Sequence, residues 1–70
     1  MKTIENTSDP RYHSKNIKRM LQEVIDHVRE DVTVVDEPHA RALFETTAEV
    51  LTGLKRAYEH FEAGTEAAWK

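Results

Sequence analysis

The apolar positions Ile17, Met20, Leu21, Val24, Ile25, Val28 and Val32 recur at unbroken steps of three and four. That is the period of one face of a helix and not the alternation of a strand. Ahead of them stands Ser8-Asp9-Pro10. An Asp at the cap position accepts hydrogen bonds from free first-turn amides, and Pro is suited to the first helical position. The pattern predicts a first helix from about Pro10 to about Val32. Residues 1–8 are polar and without period around a lone Ile4, and are expected to form a disordered N-terminal arm.

The β-branched run Val32-Thr33-Val34-Val35 weakens a helix. It leads into Asp36-Glu37-Pro38, a second helix start with a cap candidate, first-turn acids and an early Pro. This stretch is expected to be a tight, partly buried connection. The second helix, about 37–63, carries Ala40, Phe44, Thr47, Leu51, Leu54, Tyr58 and Phe61 at alternating steps of four and three. Leu43, Val50 and Ala57 add a third apolar column. Three apolar positions in seven make a bundle face, wider than a two-stranded seam. Gly64 is the expected C-terminal cap. Gly53 falls on the outer face, costs about 1 kcal/mol against Ala, and has no explanation in the pattern. Residues 65–70 are expected to form a short tail or an extra helical turn. Trp69 within them either folds back over the open end of the hairpin or serves as an aromatic anchor for a partner.

A short connection makes the two helices antiparallel neighbours. The expected fold is therefore an all-α, antiparallel two-helix hairpin (about 10–32 and 37–63), forming one domain over 9–64. Each helix would be about 35–40 Å long, and a hairpin covers only one flank of each apolar face. The simplest remedy is a homodimer in which two hairpins form a four-helix bundle with two-fold symmetry. Leu21, Ile25, Val28, Phe44, Leu51, Leu54, Tyr58 and Phe61 are its expected core.

Composition narrows the chemistry. The chain has 70 residues, no Cys, two Gly and two Pro. This argues against thiolate metal sites, thiol catalysis and Gly-rich phosphate loops. No apolar run approaches the ~20 residues of a membrane span. The expected setting is cytoplasmic. The net charge is −3, but its distribution is uneven. Helix one opens with Arg11, Lys15, Lys18 and Arg19 and closes with Glu23, Asp26, Glu30 and Asp31, the reverse of the macrodipole preference. Antiparallel pairing would offset this by placing Glu59 and Glu62 level with the basic end.

The four His are unusual for so short a chain. If the third apolar columns of the two helices face one another and Val32 sits level with Ala40, all four His share one flank. Two candidate metal sites follow: His13 with His60, to which Glu59 or Glu62 could add a carboxylate, and His27 with Glu23, Glu45 and Glu49. Imidazole and carboxylate without thiolate would suit a divalent transition metal. No Glu-x-x-His or His-x-x-x-His motif occurs to support them. The basic start of helix one could also track a phosphate backbone, against which stands a sequence pI near 5.7. No nucleophile–base pair is evident: Ser14 and His13 are adjacent and do not face each other on a helix.

The reading from sequence is thus a non-enzymatic protein–protein interaction module, accessory or regulatory, acting as a homo-oligomeric bundle without a cofactor. Arg11, Lys15, Lys18, Arg19 and Trp69 are its candidate partner-binding residues. The alternative is a metal-binding bundle using the His flank, and nucleic-acid binding ranks below both.

Overall fold

The computed structural model describes residues 8–68, with side chains through residue 64. Among them it holds two helices and no strand, α1 (Pro10–Val32) and α2 (Pro38–Ala68), packed as an antiparallel hairpin. Most of the N-terminal arm, together with Trp69, lies outside the described residues. No helix among the described residues is long and apolar enough to cross a membrane.

The helix starts follow local chemistry. Asp9 caps α1, its carboxylate accepting from the Arg11 N–H at 2.9 Å with Pro10 next in line. At α2 the capping residue is Glu37. Its carboxylate accepts from the Ala40 N–H at 2.8 Å and its carbonyl from the Arg41 N–H. Those contacts hold the Glu37 carboxyl below its ordinary value of 4.5, the Ala40 amide being the main cause and His39 the next. Between the helices, Thr33 closes α1 with its hydroxyl on the Glu30 carbonyl, and the Val34 and Val35 amides both donate to Asp31. Val34 projects into solvent while Val35 is half-buried.

The end of α2 differs from the expected stop near 63. Gly64 is helical, no glycine has positive φ, and α2 continues to Ala68. Ala63, Glu66, Ala67 and Ala68 are strong helix formers, and together they outweigh a glycine penalty of about 1 kcal/mol. No Pro follows to stop them.

The hairpin is one helix layer thick, with extents of 49 × 29 × 13 Å. Its radius of gyration is 15.5 Å, against roughly 11 Å for a compact chain of this length. Only Ile25 (1% exposed) and Ala48 (5%) are fully buried apolar residues among those described. A domain core needs two packed layers, and this chain supplies one.

Candidate functional site

The seam between the helices runs along Ser14, Lys18, Leu21, Ile25, Val28 and Val32 of α1, all buried or half-buried. Against it lie Phe44, Ala48, Leu51, Lys55, Tyr58 and Glu62 of α2. Each row keeps the four-three spacing of a packed seam. The middle is apolar, around Ile25 and Ala48. One end is a polar lock. The Ser14 hydroxyl donates to Glu62 Oε2 at 2.6 Å, Lys18 Nζ reaches Glu62 Oε1 at 3.0 Å, and Lys15 Nζ lies 3.6 Å from the same oxygen. About two turns along, Lys55 donates to the Gln22 side-chain oxygen. The Ser14 hydroxyl first, and Lys18 second, hold the Glu62 carboxyl below its ordinary value of 4.5.

This arrangement corrects the expected geometry in two respects. First, α2 turns to α1 the flank bearing Ala48, Lys55 and Glu62, not the column of Leu43, Val50 and Ala57. Of the expected core, Leu21, Ile25, Val28, Phe44, Leu51 and Tyr58 take part in the seam, whereas Leu54 and Phe61 do not. Small Ala48 admits the bulk of α1 at the centre, and the Glu62 carboxylate finds its donors only on this side. Second, the connection through residues 33–37 shifts the register. Ser14 stands opposite Glu62 and Gln22 opposite Lys55, about one helical turn further along α2 than a level Val32–Ala40 pair would place them.

The hairpin consequently has two unlike faces. On one, Met20 and Val24 of α1 and Leu43, Val50, Leu54 and Phe61 of α2 stand 46–62% exposed. His13 and Ile17 continue the α1 row at helical steps. Together with Pro10, Leu54, Tyr58 and Phe61 they line an apolar groove of about 620 Å3 at the open end of the hairpin. The other face is charged. It gathers Lys15, Lys18, Arg19, Gln22, Lys55 and Glu59 along one stretch, and Arg29, Glu45 and Glu49 along another.

The candidate site residues sort accordingly. The basic start of α1 is met by acids of its own chain. Lys15 and Lys18 share Glu62, Arg19 bonds Glu23 at 3.0 Å, and Arg11 Nε lies 3.6 Å from Asp9. The expected levelling of Glu62 with the basic end is observed. His27 pairs with Asp31 on its own helix and His39 with Glu37. His13 borders the apolar groove, its ring edge-on to Tyr12, and His60 is exposed on α2. Neither His13 with His60 nor His27 with Glu23, Glu45 and Glu49 converges: no three His, Asp or Glu among the described residues could hold one metal ion. Both sites depended on the flank and register that the structure replaces.

Sequence reasoning missed the Ser14–Glu62 lock. The available signal was the i,i+4 pair Ser14 and Lys18 falling in line with Ile25 and Val32, which puts polar groups on the seam itself. Compared with known proteins, the chain matches no protein-family model, no curated protein and no solved structure.

Proposed function

We propose that this chain is a non-enzymatic, accessory or regulatory interaction module whose working form is a homo-oligomeric helical bundle. Two hairpins close their apolar faces on each other as a four-helix bundle. The exposed row of Leu43, Val50, Leu54 and Phe61, with Met20 and Val24 beside it, carries this reading. A continuous apolar face on a one-layer hairpin is the usual mark of an interaction surface. Pairing two layers would build the core that each hairpin lacks. A chain without cysteine fits a cytoplasmic setting.

Native mass spectrometry of the untagged protein, with and without Leu54→Asp, tests it. The wild type is expected as a dimer at micromolar concentration. An Asp carboxylate forced into a dry interface should dissociate it, raising the dissociation constant at least about a hundredfold. Because fold and assembly share one core, helicity should fall with it. A monomeric wild type, or an Asp variant that stays a folded dimer, would overturn the reading.

A further inference from the structure

The open face of the hairpin is not apolar throughout. On α2 it is the row Leu43, Thr47, Val50, Leu54, Ala57 and Phe61. On α1 it is the row His13, Ile17, Met20, Val24, His27 and Asp31, at the same steps of four and three. The α1 row is apolar in the middle and polar at both ends. One end has an imidazole, and the other has an imidazole beside a carboxylate, His27 Nε2 lying 3.1 Å from Asp31 Oδ2. Closing two such faces takes these groups out of water, and a carboxylate set against apolar side chains is costly. The polar ends therefore discriminate between ways of closing.

A two-fold axis between the faces allows two arrangements. With the axis parallel to the helices, α1 of each copy lies on α2 of the other. The seam sets the levels, Ser14 standing opposite Glu62 and Gln22 opposite Lys55. Asp31 would then fall between Leu43 and Thr47 of the other copy, and His13 beside Phe61, in a row where Thr47 alone is polar. With the axis perpendicular to the helices, α1 lies antiparallel on α1, and α2 on α2. The α1 row suits this, being symmetrical about Gln22. Met20 and Val24, Ile17 and His27, and His13 and Asp31 are each equidistant from it. The same axis crosses α2 at Leu54, next to Lys55, and there Val50 and Tyr58, and Thr47 and Phe61, are equidistant. Base meets acid twice, which is the self-complementarity an isologous interface requires.

Resting on the homo-oligomeric reading above, we infer that the second copy closes on this face with its connection at the opposite end, the two-fold axis passing level with Gln22 and Leu54. His13 of each copy donates an imidazole N–H to Asp31 of the other, so that this carboxylate is shared by His27 of its own helix and His13 of the second. Ile17 covers the His27 ring of the other copy, Met20 packs on Val24, and Leu54 meets Leu54 on the axis. Val34, 74% exposed in the connection, comes opposite Pro10 at the mouth of the apolar groove.

The chain has no Cys, so introduced thiols report the arrangement. Positions 13 and 31 are about 27 Å apart along one α1, too far to join within a chain. On mild oxidation of the full chain, the double variant His13→Cys with Asp31→Cys should give a disulfide-linked dimer as the main product, and neither single variant should. In sedimentation equilibrium, His13→Asp should raise the dimer dissociation constant at least about tenfold by setting acid against acid. Adding Asp31→His should restore it. A wild-type dimer whose double-Cys variant does not link, or in which the second swap gives no recovery, overturns this arrangement while leaving self-association intact. A wild-type monomer overturns the homo-oligomeric reading and this one with it.

Discussion

The two edges of α2 are unlike in a way that runs against the usual order of a folded chain. The inner edge, against α1, includes Lys55 and Glu62 and meets Ser14, Lys18 and Gln22. The outer edge and the face beside it carry Leu43, Val50, Leu54 and Phe61 in contact with solvent. Within one hairpin, polar groups are taken inside at one end of the seam while large apolar groups are left out on the face beside it. Hydrogen-bonded polar pairs give a seam direction and register but little net stability. Apolar area removed from water is the main favourable contribution to folding and association. The inner edge thus defines the hairpin, and the outer one holds the larger reserve of stabilisation, which only a further layer can realise.

The largest effects should come from testing the two edges in parallel. Ile25→Ala, at the buried centre of the seam, should cost about 2–5 kcal/mol in urea unfolding. Leu54→Ala removes comparable bulk from a half-exposed position. In an assembled bundle it should cost nearly as much, with a loss that depends on protein concentration. A concentration-independent loss well below 1 kcal/mol would show the outer face to be bare in solution and would break the comparison.

An intermediate effect belongs to the polar lock. The folded chain holds the Glu62 carboxyl below its ordinary value because the ionised form is bonded by Ser14 and Lys18. Its stabilising contribution is therefore complete above the ordinary value of 4.5 and is lost as pH falls through the lower folded value. Thermal melts should show stability dropping on acidification below that value. Glu62→Gln should be less stable at neutral pH and show a flatter acid limb, while Glu37 still contributes to what remains. An unchanged acid limb would mean that the lock does not form in solution. The smallest effect is expected at Asp9, where Ala should cost about 1 kcal/mol through the lost α1 cap. A melt that tracks helix content near Tyr12 would check it, and an unaltered midpoint would contradict the cap.

The parts legible in the sequence were those decided within a few residues. Asp9-Pro10 starts α1, the β-branched run at Val32 ends it, and Pro38 opens α2, all through local backbone chemistry. Gly64 misled because a possible cap is also only a weak interior helix residue, and the alanines beyond it prevailed. The His sites failed for a different reason. They required Leu43, Val50 and Ala57 to face α1 and Val32 to lie beside Ala40, and neither condition is met. Several rows of α2 share the four-three spacing, so spacing could not choose among them.

Periodicity and capping alone determine that this chain makes two long amphipathic helices joined tightly enough to run antiparallel, because those properties depend on near neighbours in the chain. Which edge of α2 meets α1, and therefore which apolar row is left open, was decided only by tertiary packing. That choice rests on Ser14 finding Glu62 across 48 residues and on Ala48 seating against the seam. Complementarity over that distance carries no periodic signature, since it is a property of two surfaces brought together and not of either one.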